Sequence, residues 1–226
     1  MNYKILATDI DGTITDEKGR IHTRALEIIR KLEEKGIPVM LVSGRPLPFV
    51  ESLALFAGTS GPVIAENGAV AKINRELMTF GDPKPAREAL NRLQQVFPLE
   101  LDDDNGYRMV DVSVRMTVEP DKIQALLKEE GMPVNLLVTN VMFHLVDAAV
   151  SKGKTVLTVL NQLGIKPVEA VVSGDSYNDL PLFEIGAYNL AVGNAAEVLK
   201  RKANVVATTD YGAGFAEMVA ETFDLK

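Results

Sequence analysis

Short apolar runs alternate along most of the chain with segments in which apolar residues recur at helical spacing. Runs of this kind are typical of strands buried on both faces, and the longer periodic segments are typical of amphipathic helices. Their alternation predicts an α/β fold with a doubly wound, mostly parallel, Rossmann-like sheet. The predicted core strands are 5–8, 39–42, 63–65, 168–172, 190–192 and 205–206.

Between residues 82 and 151 the pattern changes. Pro83 and Pro85 mark the boundary, and the segment then reads as helix, two strands, helix, two strands. The expected helices are 86–96 and one around Ile123. The expected strands are one near Leu99 and those at 109–116, 134–138 and 141–146, with 102–106 as a hairpin turn. We therefore predict a core of residues 1–81 and 152–226 and an inserted small α+β domain of residues 82–151.

Composition narrows the classes of partner. The 226 residues carry a net charge of −7, no cysteine and two histidines. Disulfides and thiolate sites are excluded, and an acidic chain is a poor match for nucleic acid or an anionic membrane. No apolar run approaches the roughly 18 residues of a membrane helix, and the first residues lack a signal-peptide pattern. We expect a cytoplasmic protein with a small-molecule partner, no nucleic acid and no membrane, and a homodimer stays open.

Polar side chains follow several of the predicted core strands. In an open α/β sheet, ligands bind at the carboxyl ends of the strands. The residues at these ends are Asp9, Ser43, Glu66, Asn67, Asp175 and Asn194. The sequence thus predicts a site rich in oxygen ligands at one edge of the sheet.

The first strand leads into two acids, Asp9 and Asp11. A calcium-binding EF-hand loop requires a further acid or amide at position 13 and glycine at 14, where this chain has Thr13 and Ile14. Calcium of that type is excluded. An ordinary turn also uses Asp and Gly, and this alternative stays open for the pair taken alone.

A second acidic pair, Asp175 and Asp179, follows a later strand, and we expect it to open a helix that continues through Phe183. The helix dipole favours acids at such a position, which explains one of them without any ligand. Four acids at two strand ends are better explained by a site for Mg²⁺, which prefers carboxylate, water and phosphate oxygens.

Two further segments suit phosphate chemistry. Ser43 and Gly44 offer a hydroxyl and backbone N–H groups at a strand end, although Ser-Gly is also common in plain turns. Lys152 and Lys154 lie at a predicted helix start, and either side chain could be merely solvated. A Walker loop would require glycine at 148, where the chain has Ala148, so a nucleotide loop is excluded.

Taken in order, Asp-x-Asp-Gly-Thr, Ser-Gly, a helix-opening Lys and Gly-Asp-x-x-Asn-Asp resemble the motifs of the haloacid dehalogenase-like hydrolases. The resemblance covers essentially the whole chain. The position of residues 82–151 is similar to that of the cap domain in the subgroup with an α+β cap, which includes sugar-phosphate phosphatases. The segments 64–68 and 210–214 look most like those of archaeal phosphoglycolate phosphatases.

The resemblance implies a role for each motif residue. Asp9 is expected to be the nucleophile that forms an aspartyl-phosphate, and Asp11 the acid and base. Ser43 and Gly44 are expected to bind the phosphoryl group. Lys152, which aligns better than Lys154, is expected to neutralise developing charge. The implied Mg²⁺ ligands are Asp9, Asp11 through its backbone carbonyl, Asp175 and Asp179, the last as ligand or as support.

The expected function is therefore a Mg²⁺-dependent phosphomonoesterase acting on a small phosphorylated metabolite, with 2-phosphoglycolate as the first candidate. The alternatives are a sugar-phosphate phosphatase, a phosphomutase of the same superfamily and a non-catalytic phosphate-binding protein. The last is disfavoured because every expected catalytic position is filled. Among the remaining polar residues, Asn67 and Asn194 are read as supports or turn residues. Arg108 and Arg115 could help hold an anionic substrate group, but side chains on solvated faces are the preferred interpretation.

Overall fold

The computed structural model describes residues 3–139 and 142–225. Residues 1, 2 and 226, at the ends of the predicted core, lie outside the described part, as do residues 140 and 141, including the first residue of the strand predicted at 141–146. The strands are β1 (Ile5–Thr8), β2 (Val39–Val42), β3 (Val63–Ala65), β4 (Val70–Ile73), β5 (Glu76–Thr79), β6 (Val112–Arg115), β7 (Val134–Val138), β8 (Met142–Asp147), β9 (Ala170–Gly174), β10 (Tyr188–Ala191) and β11 (Val205–Val206). The helices are α1 (Thr23–Glu34), α2 (Leu47–Ala57), α3 (Pro83–Gln94), α4 (Pro120–Glu129), α5 (Lys152–Gln162), α6 (Glu197–Lys200) and α7 (Tyr211–Thr222).

The larger sheet has eight strands in the order β11-β10-β9-β1-β2-β3-β4-β5. The strands from β11 to β3 in this order are parallel, which confirms the predicted α/β fold. β1 and β2 are buried along their whole length, as their unbroken apolar sequences require. The chain runs outward from β1 to β3 in one direction and from β9 to β11 in the other. The strand order therefore reverses between β1 and β9, the place where open α/β sheets bind their ligands.

Strands β4 and β5 form an antiparallel hairpin that extends the sheet beyond β3 and that the sequence pattern did not predict. The turn between them contains Asn74 and Arg75, with φ of 49° and 72°. Such left-handed positions favour glycine, so a turn without glycine gives a weak sequence signal.

The prediction of a helix after Asp175 is wrong. The chain instead makes two short 3₁₀ turns, Tyr177–Asp179 and Leu182–Glu184. The Asp179 carboxylate accepts hydrogen bonds from the backbone N–H groups of Asp175 and Ser176, at 3.1 Å each. Short acidic side chains that bond nearby backbone in this way favour turns over continuous helix, and Pro181 lacks an N–H.

The smaller sheet is antiparallel, in the order β6-β8-β7, and packs against α3 and α4. It has its own hydrophobic cluster, which includes Leu93, Ile123 and Phe143. The strand predicted near Leu99 is wrong, since that segment contributes only an isolated bridge between Leu101 and Val114. The predicted hairpin turn at 102–106 is instead a short 3₁₀ helix, Asp103–Tyr107.

Across the described residues 3–139 and 142–225, none of the helices combines the length and the apolar character that crossing a membrane requires.

Candidate active site

Three predicted acids meet where the strand order reverses. Asp9 follows β1, and Asp175 and Asp179 follow the neighbouring strand β9, which pairs with β1 in parallel register. Each of the three offers a carboxylate oxygen, and these oxygens lie within 4.8 Å of one another. Asp9 and Asp179 are buried, and Asp175 is partly buried. We call Asp9, Asp175, Asp179 and the lysine described next the acid cluster.

Lys152, the first residue of α5, points into this cluster. Its Nζ lies 2.6 Å from Asp9 Oδ1 and 2.7 Å from Asp179 Oδ1, and the residue is 1% exposed. Gly153 allows the start of α5 to approach residues 175–181 closely, because a Cβ on Gly153 would collide with the Pro181 carbonyl. We call residues 175–181 the acid loop. Lys154 lies outside the cluster, with its Nζ donating to the Ala149 carbonyl.

The protein does not neutralise the acid cluster by itself. Burial, with Asp179 and Asp175 adding to it, holds the pKa of Asp9 well above its usual range although Lys152 acts in the opposite direction. Burial and Asp179 raise the pKa of Asp175 to about 7. Burial alone would lower the pKa of Lys152, but the carboxylates of Asp179 and Asp9 outweigh burial and raise it. Three carboxylates around one ammonium are a donor set that suits a hard divalent cation.

The loop after β1 separates Asp11 from the acid cluster. Gly12 has φ of 89°, and a Cβ there would collide with the Asp175 carboxylate. Thr13 Oγ1 donates to Asp175 Oδ1 at 3.1 Å, which anchors the loop. The Asp11 side chain turns outward and accepts two hydrogen bonds of 2.7 Å from Arg45. The structure therefore brings Asp9 into the cluster and leaves the Asp11 carboxylate at its solvent side.

Ser43 and Gly44 lie at the end of β2, beside β1. Ser43 is 1% exposed, and its Oγ accepts from the Arg45 backbone N–H at 3.1 Å. A Cβ on Gly44 would lie 2.9 Å from Asn67 Oδ1, so a larger residue there would require the Asn67 side chain to shift. Asn194, after β10, donates from Nδ2 to the Gly12 carbonyl at 3.0 Å and thus supports the loop that carries Asp11.

Glu66 has a role that the sequence did not reveal. Its buried carboxylate accepts hydrogen bonds from three backbone N–H groups in the predicted insertion, those of Met109 at 2.9 Å, Val110 at 2.8 Å and Asp111 at 3.1 Å. Burial raises the pKa of Glu66, and the charge of Asp111 adds to this. The only sequence signal was the position of Glu66 after a strand, and its partners lie more than 40 residues away.

The interpretation of Arg108 as a solvated side chain is wrong, since its side chain is 3% exposed. The guanidinium donates to both Asp104 oxygens, at 2.8 and 2.6 Å, to Asp111 Oδ1 at 2.6 Å and to the Gly44 carbonyl at 3.0 Å. The spacing of Asp104 and Asp111, four before and three after Arg108, was a sequence signal for this pairing. Arg115 remains partly exposed and pairs with Asp103.

Asn67 connects this arginine network to the acid loop. Its Nδ2 donates to Asp111 Oδ2 at 3.1 Å, and its Oδ1 accepts from Asn178 Nδ2 at 3.1 Å. His144 Nδ1 lies 3.3 Å from Asp111 Oδ2 but forms no hydrogen bond there. We call the set the junction cluster: Glu66, Asn67, Asp104, Arg108 and Asp111.

Comparison with known proteins gives consistent matches. The family model described as haloacid dehalogenase-like hydrolase matches residues 6–102 and 121–219. Phosphoglycolate phosphatase of Methanoculleus marisnigri is 37% identical over 226 residues, covering 97% of each chain. Phosphoglycolate phosphatase of Archaeoglobus fulgidus is 38% identical over 216 residues, covering 95% of this chain and 94% of that protein. The crystal structure of Thermoplasma acidophilum 0175 has 26% identity and a TM-score of 0.92, with full coverage of both chains.

Proposed function

Because the chain belongs to the haloacid dehalogenase-like hydrolases, we propose that it is a Mg²⁺-dependent phosphomonoesterase that hydrolyses 2-phosphoglycolate to glycolate and phosphate. The observation that carries the proposal is the acid cluster, with three carboxylates and one buried lysine at the point where the strand order reverses. Relatives named phosphoglycolate phosphatase at 37% and 38% identity support the choice of substrate.

Asp9 is the proposed nucleophile. A carboxylate oxygen of Asp9 attacks phosphorus, an O–P bond to Asp9 forms, and the bond between phosphorus and the substrate's ester oxygen breaks. This reaction suits a carboxylate because it attacks without first losing a proton. Lys152 holds Asp9 Oδ1 at 2.6 Å and places a positive charge where the phosphoryl group would arrive.

Asp11 is the proposed acid and base. It gives its proton to the leaving oxygen of the substrate. It then takes a proton from the water that attacks phosphorus, which releases phosphate and restores the Asp9 carboxylate. Its position at the solvent side of the acid cluster supports this role, since the leaving group and water must reach it. Ser43 and Gly44, at the neighbouring strand end, are assigned to bind the phosphoryl oxygens.

The acid cluster fits a divalent metal because its donors are carboxylate oxygens and because burial and the neighbouring acids raise the pKa of Asp9 and of Asp175. The proposed ligands are Asp9, Asp175, Asp179 and the backbone carbonyl of Asp11. Mg²⁺ bound there supplies positive charge that offsets the repulsion between the anionic nucleophile and the phosphate.

We further propose that residues 82–151 act as a cap that closes over the site. Its separate hydrophobic cluster supports this division, and Arg108 of the cap contacts Gly44 of the phosphoryl-binding loop. Such a lid excludes bulk water from the reaction and limits the size of the substrate.

The test is a phosphate-release assay over a panel of phosphorylated metabolites, with Mg²⁺ or with a chelator. We expect 2-phosphoglycolate to be hydrolysed fastest and the activity to be lost on chelation. The variant Asp175→Asn should lose the Mg²⁺ response, whereas Asp103→Asn, which changes an exposed acid, should retain it. Interconversion of phosphate esters without release of phosphate would indicate a phosphomutase. Activity that is insensitive to the chelator would overturn the metal assignment.

A further inference from the structure

Two arginines flank the phosphoryl-binding loop, and they differ in burial and in the number of protein groups to which they donate hydrogen bonds. Arg108 is almost fully buried and donates to Asp104, Asp111 and the Gly44 carbonyl. A substrate anion that displaced Asp111 from Arg108 would leave a buried carboxylate without its cation. Such an exchange is strongly unfavourable, so Arg108 is a structural arginine.

Arg45 is the arginine that remains available. Its Nε and Nη2 each donate to one oxygen of the Asp11 carboxylate at 2.7 Å. The side chain of Arg45 is 50% exposed and that of Asp11 is 42% exposed. Because the pair is in contact with water and a substrate carboxylate can form the same two hydrogen bonds, another carboxylate can replace Asp11 at small cost. The fork of a guanidinium matches a carboxylate in two parallel hydrogen bonds.

The chemistry of the proposed substrate places its carboxylate within reach of Arg45. Asp11, as the proton donor, must touch the leaving oxygen of the substrate. In 2-phosphoglycolate a single methylene separates that oxygen from the carboxylate carbon. The Arg45 side chain donates to the Asp11 carboxylate. The backbone N–H of Arg45 donates to the Oγ of Ser43, two residues earlier in the chain. A guanidinium that holds Asp11 is therefore next to the position of the substrate carboxylate.

We propose that Arg45 determines specificity by exchanging the Asp11 carboxylate for the carboxylate of the substrate. This assignment rests on the proposed function. The exchange selects esters that carry a carboxylate beside the phosphorylated oxygen, and it releases Asp11 for proton transfer only when such a substrate is bound. A purely structural Arg45, in contrast, would position Asp11 equally for every ester.

The experiment compares two substrates in three variants. Steady-state kcat and KM are measured with Mg²⁺ for 2-phosphoglycolate and for p-nitrophenyl phosphate, which has no carboxylate. In Arg45→Ala we expect the ratio of kcat/KM values, 2-phosphoglycolate over p-nitrophenyl phosphate, to fall on the order of 100-fold, mainly through KM. Arg45→Lys, which keeps the charge but loses the fork, should lower the ratio by about tenfold. Arg115→Ala, which removes an arginine from an exposed pair with Asp103, should leave the ratio unchanged.

An equal loss of kcat/KM on both substrates in Arg45→Ala would overturn the assignment and leave Arg45 as a support for Asp11. The same measurements in Arg45→Lys decide the question if the alanine variant does not fold. A wild-type protein that releases no phosphate from either ester would overturn the proposed function and the assignment with it. Normal wild-type activity with an unchanged ratio in both Arg45 variants would overturn the assignment alone.

Discussion

Two groups of buried charges lie at the same edge of the sheet, and the protein treats them differently. In the junction cluster, three backbone N–H groups solvate Glu66, and Arg108 and Asn67 pair with Asp111. In the acid cluster, Lys152 is the single cation described among three carboxylates, and the pKa of Asp9 and of Asp175 is raised.

The difference shows which buried charges indicate function. A charge that the chain itself pairs and hydrogen-bonds can be explained by structure alone. A group of like charges that the chain leaves incompletely neutralised is unfavourable in the free protein, and a ligand that supplies the missing charge accounts for it. Within the junction cluster, Arg108 and the neighbouring His144 outweigh the effect of burial and lower the pKa of Asp111, whereas burial still raises the pKa of Glu66 against its three backbone N–H donors.

The largest effect that separates the two clusters is expected for Lys152→Met. This change removes the ammonium that contacts Asp9 and Asp179, so in the proposed reaction the phosphoryl group would meet acids without a positive partner. We expect phosphate release to fall by roughly a thousandfold or more. We also expect the free energy of unfolding to fall by about 3–5 kcal/mol, measured with urea. Phosphate release within tenfold of the wild type would show that the lysine has no part in the reaction.

A smaller effect, on stability, is expected for Arg108→Ala. The change leaves Asp104 and Asp111 without their shared cation, and we expect the free energy of unfolding to fall by about 3 kcal/mol. The matched change Arg115→Ala removes an arginine that is 44% exposed and should cost at most about 1 kcal/mol. Urea unfolding of the two variants gives the comparison. Equal losses would contradict the view that the junction cluster holds the structure together.

The smallest effect is a pH dependence of the metal-free protein. The pKa of Asp175 is raised to about 7, so between about pH 4 and pH 7 the native state keeps a proton that the unfolded chain has lost. Stability of the chelated protein should therefore decrease as pH rises through this window. Mg²⁺ should restore it, because the proposed metal site exists only in the native state.

Differential scanning fluorimetry should give a melting temperature for the chelated protein that is several degrees lower at pH 8 than at pH 5.5. Millimolar Mg²⁺ should raise it at pH 8. In Asp175→Asn both dependences should be smaller. If the melting temperature of the metal-free wild-type protein changes neither with pH nor on addition of Mg²⁺, the acids of the cluster do not repel one another.

The parallel core was predictable because its strands are short, apolar and bounded by polar residues, and the order of the motifs indicated the family that the comparisons support. Hydrogen bonds from side chains to nearby backbone were harder to predict from the sequence pattern. The side chain of Asp179 bonds the backbone of Asp175 and Ser176, and the chain turns where acids and apolar residues at helical spacing predicted a helix.

The junction cluster could not be derived from the sequence in the same way. Arg108 has neighbouring acids at helical spacing, but its contact with the Gly44 carbonyl joins residues 64 positions apart. Glu66 likewise accepts hydrogen bonds from backbone N–H groups 43 to 45 residues away. A pattern along the chain reports which residues share a strand or a helix, and it carries little information on pairings between distant segments that the tertiary fold creates.

The most direct test of the central claim is phosphate release from 2-phosphoglycolate by Asp9→Asn, measured with saturating Mg²⁺ and beside the wild type. Thermal unfolding of the variant controls for folding, which we expect to be retained because the amide removes one of three neighbouring charges. The account predicts that release falls by at least about a thousandfold, since an amide cannot form the aspartyl-phosphate. A folded Asp9→Asn protein that releases phosphate at the wild-type rate would contradict it.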